Sequence, residues 1–393
     1  MAAGDSPLDG LKVVEFTHMV MGPVIGAILV ELGATVVKIE PPGGDPTRRL
    51  KGSGAGYFAM YNRNKKSLCL DVKNPEGLQV ARRLVAAADI FVENFRPGGL
   101  DKLGLGYEAL SAENPRLIYC AAKGFLAGPY QQRTALDEVV QMMAGIAYMT
   151  GPPGRPLRAG ASIVDVTGGM FGVIGILAAL ERRNRTGQGS KISSALFETA
   201  VYLVGQHMAQ QAVTGTAAQP MPVRVSAWAI YDIFKCSDGQ QVFIGVVSDS
   251  LWGKFCKAFD LGRLAADPQL RTNEQRVHRR ELLLTEIKSV VGILTRDQLV
   301  RRLEGTGIPF APIGRPEDLF FDPHLLSSGG LVAVELAQSE TTLLPIVPIE
   351  LNGFRTTRES SLPGVGEQTY QVLLDSGFSN AEIESLKVNA VIA

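Results

Sequence analysis

The chain has 393 residues, 46% of them hydrophobic and 20% charged, with lysine plus arginine equal to aspartate plus glutamate at 39 each. That length exceeds one ordinary core and predicts a large and a smaller domain, while the composition is globular rather than disordered. A net charge of zero gives no basis for bulk nucleic-acid or membrane-surface binding, so any anion site has to be a local basic cluster.

The opening MAAGDSPLDG has neither a basic nor an apolar leader region, and no apolar run reaches the roughly 20 residues of a membrane span. The most apolar helix expected, around 170–180, is glycine-rich and too short. The four cysteines (Cys69, Cys120, Cys236, Cys256) lack CxxC spacing, and the four histidines (His18, His207, His278, His324) form no HxxxH or HExxH pair. A disulfide framework and a metal site are both disfavoured, and a reducing, cytoplasmic setting is expected.

In chain order, LKVVEFT (11–17) predicts a buried strand, a helix follows Pro23, and ATVVKIE (34–40) and SLCLDV (67–72) predict two more strands. PEGLQVARRLVAAA (75–88) predicts a helix with Pro75 near its first turn and Glu76 complementing its dipole. DIFVENF (89–95) and RLIYCAAKG (116–124) are further strands. Strands alternating with such helices form βαβ units around a mostly parallel sheet, an α/β fold whose ligands sit beyond the carboxyl ends of the strands. The turns expected there, THMVMG, PPGGDPTRR, ENFRPGG and KGF, are polar or basic.

A helix is predicted over 168–183, with Asp165 or Thr167 as its N-cap and RNRTGQG at its end. AAQPMPV (217–223) breaks the pattern. AWAIYDIFKCSDGQQVFIGVV then predicts a hairpin turning at SDGQ, followed by helices near 250–260, 274–291 and 296–304, the candidate second domain. GIPFAPIGRPEDLFFDPHL (307–325) reads as a proline-punctuated connector, and strand-like runs and a helix over 380–388 close the chain.

Amide and basic groups recur at three strand ends: Asn62, Arg63, Asn64, Lys65 and Lys66; Asn94, Arg96 and Lys102; Lys123. Any one of them could be a solvated loop charge, but together they suit a phosphate-bearing ligand, because arginine and lysine make charge-assisted bonds to phosphate oxygens. Neither GxGxxG nor GxxxxGK[ST] is present. In GASIVDVTGGMFG (160–172), Asp165 is the only acid between Glu138 and Glu181. On the residues alone a helix cap is its commoner use. The other use is as a nucleophile toward an acyl group, with the glycines leaving room for a bulky thioester. His18 is a loop histidine or a ligand contact, and Trp228 and Tyr231 pack a core or line a pocket.

At this point the residues carry a resemblance. PLDGLKVVEFTHMVMGP, LGATVVKIEPPGGDPTR, NRNKKSLCLDVKNPEG, ADIFVENFRPGGLDKLGLGYEAL, NPRLIYCAAKGF and RTGQGSKISSALFETA, in this order over about 1–205, resemble the class III CoA-transferases. These include formyl-CoA transferase and crotonobetainyl-CoA:carnitine CoA-transferase, and the alpha-methylacyl-CoA racemases are relatives. The resemblance implies a Rossmann-like large domain with a parallel sheet, made by residues 1–216 and 326–393, a small α+β domain over 217–325, and an interlocked homodimer. It implies coenzyme A or an acyl-CoA as co-substrate with a small carboxylic acid, and no metal, nucleic acid or membrane. Contacts to CoA would fall to His18, Lys65, Lys66, Asn94, Phe95, Arg96, Lys102 and Lys123, the substrate pocket to Val20 and Asp137, and catalysis to Asp165. In that mechanism the aspartate forms a mixed anhydride and then a CoA thioester, and it acts ionised, a form that amides at the helix start would favour. The racemase alternative needs a histidine before Asp137, where this chain has Leu136. Val20 stands where formyl-CoA transferase has glutamine, the tetraglycine loop of that enzyme is absent, and Pro41 follows KIE where some relatives carry arginine. An oxalate acceptor is therefore not implied.

Overall fold

The computed structural model describes residues 6–224, 226–336, 340–352, 355 and 360–393; the opening residues 1–5, read above for a leader, lie outside these. The chain divides into two compact units, Met1–Pro222 with His324–Ala393, and Val223–Pro323. The sequence reading puts the junctions at 216/217 and 325/326.

In the larger unit, the runs of β-branched and apolar residues form β1 (Lys12–Phe16), β2 (Thr35–Glu40), β3 (Lys66–Cys69), β4 (Ile90–Glu93), β5 (Ile118–Lys123) and β6 (Ser190–Ala195). They make one six-stranded sheet in the order β3-β2-β1-β4-β5-β6, parallel throughout. The connecting helices are α1 (Met21–Glu31), α2 (Tyr57–Asn62), α3 (Pro75–Ala86), α4 (Tyr107–Glu113), α5 (Asp137–Met143), α6 (Ile146–Thr150), α7 (Ile163–Thr186) and α8 (Leu196–Thr214). Alternate strand residues face opposite layers. Val13, Ile90 and Val92 join the core containing Ile25 and Leu29 of α1 and Ile176 of α7, whereas Val14 and Phe91 join the one containing Val80 and Leu84 of α3. Both faces of the sheet are thus covered, as an all-parallel sheet requires. β6 escapes the sequence pattern because SKISSA has one large apolar residue, Ile192; pairing with β5 makes it a strand.

α7 begins five residues before the predicted start and spans 24 residues. By length and composition it could cross a membrane, which corrects the expectation of too short a helix. Here it packs on α1, β5, β6 and α8. Its glycines explain the contact. A Cβ on Gly168 would lie 2.8 Å from Met21 Cε, one on Gly169 2.6 Å from Val24 Cγ1 and 2.9 Å from the Met21 carbonyl, and one on Gly172 2.7 Å from Ile25 Cδ1. These glycines let two helices close on each other, and the space expected for a thioester is occupied by α1.

In the smaller unit, β7 (Ile230–Lys235), β8 (Gln241–Val246) and β9 (Phe310–Pro312) form an antiparallel sheet in that order, so the predicted connector supplies a strand. The helices are α9 (Asp249–Ala258), α10 (Gly262–Ala266), α11 (Asn273–His278), α12 (Arg280–Val291) and α13 (Arg296–Leu303); the single helix predicted over 274–291 is two. Trp228 and Tyr231 pack at a tilt with ring centroids 5.1 Å apart, and Tyr231 meets Phe243 edge-on at 4.8 Å.

The chain then returns to the larger unit through α14 (Pro323–Ser327), a small sheet of β10 (Leu331–Glu335), β11 (Thr341–Pro345) and β12 (Ser360–Ser361), and helices α15 (Thr369–Asp375) and α16 (Asn380–Val388). This return closes the edge of the main sheet. The Ser67 amide donates to Gln368 Oε1 (2.8 Å), the Cys69 amide to Thr369 Oγ1 (3.1 Å) and the Asp71 amide to the Val391 carbonyl (2.9 Å).

Gly169→Ala is expected to destabilise the protein by about 1–3 kcal/mol, because the new methyl meets backbone and a β-branched side chain. Gly253→Ala in α9, where a Cβ meets nothing within 4 Å, should stabilise by about 0.5–1 kcal/mol. Urea unfolding of both variants checks the contrast.

Candidate active site

The strand order reverses between β1 and β4, so the crevice beyond their carboxyl ends is the ligand position of an open α/β sheet. Two turns meet there. The His18 amide donates to Asn94 Oδ1 (3.1 Å), and Asn94 Nδ2 donates to the His18 carbonyl (2.8 Å). The His18 ring lies 5.6 Å from that of Phe95, which packs on Phe16 at 4.5 Å. Burial of part of the imidazole lowers its pKa; Asp45 opposes this and Lys38 adds to it. Arg96 and Lys102 follow, both exposed, and neither side chain has a hydrogen bond or ion pair to another described residue. Lys123, at the end of β5, donates to the Phe95 carbonyl (2.7 Å) and pairs with Glu93, so it braces the Phe95 turn from within.

Asp165 stands beside this crevice. Met21, two residues after the end of the His18–Met19 pair, contacts Gly168, three residues after Asp165. Asp165 is the third residue of α7 and does not cap it. The cap comes from Asp137 at the start of α5: its Oδ2 accepts the amides of Val164 (2.8 Å) and Asp165 (3.0 Å). Gln141 donates to Asp137 Oδ1 and accepts the Ala159 amide (2.8 Å). Asp137 thus satisfies donors that a helix start otherwise leaves open, and Ser162, at the N-cap position, makes no cap bond with its side chain. Its hydroxyl lies 3.4 Å from the Tyr57 hydroxyl.

With those amides taken, the Asp165 carboxylate makes no hydrogen bond to a described residue. Burial, and then the charges of Asp137 and Glu138, push its pKa up to about 7, against a smaller pull from Arg158. The expected stabilisation of the ionised form by the helix start is therefore not what the geometry provides. Tyr61, one turn beyond Tyr57 on α2, is a neighbour that pattern reading missed; burial and the Asp165 charge raise the pKa of its phenol.

Other candidates lie elsewhere. Lys65 and Lys66 face opposite sides of the sheet. Lys65 is fully enclosed, its ammonium held by Glu15 (2.8 and 2.9 Å), the Pro23 carbonyl (2.9 Å) and Asn62 Oδ1 (3.2 Å), so it has no donor to offer a ligand. Lys66 lies 3.5 Å from Asp375 and lines a cavity of about 510 Å³ with Lys12, Thr35, Leu84 and Val372, at the amino ends of the strands. Their expected contact with one ligand as a pair is corrected by strand alternation, which parts adjacent side chains. Val20 is 1% exposed, which takes its side chain off any open pocket wall. Asp137 is buried and occupied as the cap of α7.

Fold and site together define an α/β unit of the Rossmann type with a cationic switch-point crevice and a half-buried carboxylate beside it. The profile of CoA-transferase family III matches residues 8–369, and the chain belongs to that family. The human succinyl-CoA:glutarate CoA-transferase is 31% identical over 93% of this chain and 85% of its own. The succinate–glutarate CoA-transferase of Agrobacterium fabrum is 32% identical over 98% and 97%, and the succinyl-CoA–D-citramalate CoA-transferase of Chloroflexus aurantiacus 31% over 98% of each. The crystal structure of a CAIB/BAIF family protein from Brucella suis superposes with a TM-score of 0.84 at 35% identity, covering 94% of this chain and 99% of that one. CoA thioesters are the co-substrates of such transferases.

The raised pKa of Asp165 has a thermodynamic sign. A carboxyl whose pKa rises from 3.8 to about 7 on folding contributes stability in full below about 4, and this is lost as pH rises through 7. Asp165→Asn should therefore stabilise the protein relative to wild type by about 1–3 kcal/mol at pH 8 and by almost nothing at pH 4. Asp137→Asn, which removes the nearer like charge, should move the midpoint of the wild-type loss downward. Chemical unfolding across pH 4–8 reads both effects, and a difference between Asp165→Asn and wild type that is flat with pH would contradict them.

Proposed function

We propose that this chain moves CoA from an acyl-CoA donor to a carboxylic acid through covalent intermediates on Asp165. The observation that carries the proposal is a half-buried carboxylate without a hydrogen-bond partner among the described residues, one helical turn before Gly168, where α7 meets Met21 at the start of α1. Arg96 and Lys102, unpaired and exposed, suit the phosphates of CoA, and the His18 and Phe95 rings offer apolar faces at the same crevice. The named activities of the relatives support succinyl-CoA as donor and a dicarboxylic acid such as glutarate, malate or citramalate as acceptor.

In the proposed sequence an Asp165 oxygen attacks the thioester carbonyl, the C–S bond breaks, and CoA leaves as thiolate from a mixed anhydride. The thiolate attacks the aspartyl carbonyl and frees the donor acid as carboxylate, which leaves an aspartyl-CoA thioester. The acceptor carboxylate attacks that thioester to form a second anhydride and release the thiolate. Attack of the thiolate on the acceptor's acyl carbon gives the new acyl-CoA and restores Asp165. Every species is a carboxylate, thiolate, anhydride or thioester, so no proton enters the balance. Exchange through covalent steps is the general gain of nucleophilic catalysis. A two-base racemisation is not supported: Leu136 precedes Asp137, and Asp137 is committed to the amides of α7.

We also infer that a second copy of the chain covers the outer side of α7 and α8, where Ile174 (58% exposed), Tyr202 (73%) and Val213 (85%) form an apolar surface. Ile174→Asp should shift the sedimentation of the protein from dimer toward monomer.

Purified protein with succinyl-CoA and a panel of carboxylates, followed by mass spectrometry of the acyl-CoA products, tests the function. Transfer to at least one dicarboxylate is expected, with a loss of at least about 10³-fold in Asp165→Ala. Because attack needs the ionised form, kcat/KM should rise with pH through a midpoint near 7. No transfer to any acceptor, or full activity in Asp165→Ala, would overturn the proposal, and α-deuterium wash-in on a 2-methylacyl-CoA would favour racemisation instead.

A further inference from the structure

Beneath the turn that follows β1 lies a cluster of buried charges. Glu15 and Lys38 are register partners on β1 and β2, and both are at most 1% exposed. Lys38 Nζ donates to the Thr17 carbonyl (2.8 Å) and lies 3.1 Å from Asp45 Oδ2 and 3.5 Å from Glu15 Oε1. Lys65 holds the other side of Glu15. Two cations and two anions balance. A Cβ on Gly26 of α1 would lie 1.8 Å from Glu15 Oε2, so the helix backbone closes the cluster from above.

The cluster grips the turn at both ends. The Thr17 hydroxyl donates to Glu15 Oε1 (2.7 Å), while its carbonyl accepts a hydrogen bond from Lys38 Nζ. Asp45 Oδ1 accepts the Thr47 amide (2.8 Å), and Thr47 Oγ1 accepts the Met19 amide (3.1 Å). Met19 has φ +64°, a left-handed conformation disfavoured for a residue with a side chain. Between the grips, Asn94 bonds both backbone groups of His18. Buried ion clusters add little net stability over apolar packing. What this one supplies is a single backbone geometry for the Thr17–Met19 turn, in which His18 and Met19 are exposed.

We propose that the Glu15–Lys38–Lys65–Asp45 cluster is the positioning device of the Thr17–Met19 turn, and that through Lys38 and Thr47 it sets the affinity of the crevice for CoA. The proposal rests on the CoA reading above. Neither residue touches the ligand; each acts through a backbone group of the turn.

The test is titration calorimetry of the full chain with CoA itself, beside turnover with succinyl-CoA. Thr47→Val keeps the shape and removes the acceptor of the Met19 amide; it should weaken CoA binding by about 5–30-fold. Thr47→Ser should restore it to within about threefold, since the hydroxyl returns. In turnover the Thr47→Val loss should appear in KM rather than in kcat. Lys38→Met should weaken binding further, and if it does not fold, the Thr47 pair decides. A folded Thr47→Val protein with wild-type affinity, or one whose loss falls equally on kcat, would overturn the proposal and leave the transfer reading intact. Wild-type protein that binds no CoA would overturn both.

Discussion

Glu15 and Lys38 sit side by side in the centre of the sheet, and much of the larger unit is arranged to accommodate them. A buried charge left without its partner is costly, so each member of the cluster fixes the others. Lys65 enters from the residue before β3, and Asp45 from the loop after β2. α1 lies over Glu15 only because Gly26 has no side chain. Once α1 is placed, Met21, Val24 and Ile25 meet the glycines of α7, and the depth at which α7 lies sets where Asp165 stands. A pair of charges in two neighbouring strands thereby reaches the proposed nucleophile through two close approaches that glycines allow.

The electrostatics at the start of α7 work in an unexpected direction. A helix start usually favours a carboxylate, and it does so here for Asp137, which takes the Val164 and Asp165 amides. Asp165 is left with burial and like charges. For a nucleophile this has two sides: a more basic carboxylate attacks more readily, but near neutral pH only part of it is ionised. Asp137 and Gln141 hold this balance through hydrogen bonds to the chain on either side of Ser162.

The sheet was legible in the sequence because its strands are apolar runs punctuated by polar turns, and β1, β2, β4 and β5 lie inside the predicted spans. β6 was not, because an edge strand can be polar. That Asp165 lies near a helix start followed from local pattern, whereas its place inside the first turn and the source of the cap did not: Asp137 lies 28 residues earlier, and no local rule links the two. The glycines of α7 were visible, but their use was misread, since the α1 side chains that fill the space come from elsewhere in the chain. Lys65 and Lys66 look like one basic patch in a string of letters and separate as soon as a strand alternates. One signal went unused. Glu15 in LKVVEFT and Lys38 in ATVVKIE each follow a Val-Val pair and precede an apolar residue, and in a sheet covered on both faces such charges must find partners.

The closing of the β3 edge by the far end of the chain has a consequence for synthesis. The Ser67 amide waits for Gln368, 301 residues later, and the Asp71 amide for Val391. As the ribosome delivers the chain, β1 to β6 can pair, but the outer rim of β3 stays unpaired until the last helices emerge. An open strand rim is a template for pairing with other nascent chains. The smaller unit, inserted between the two parts of the larger one, lengthens that interval by Val223–Pro323. The larger unit therefore completes its sheet late, when the segment after Pro323 has emerged.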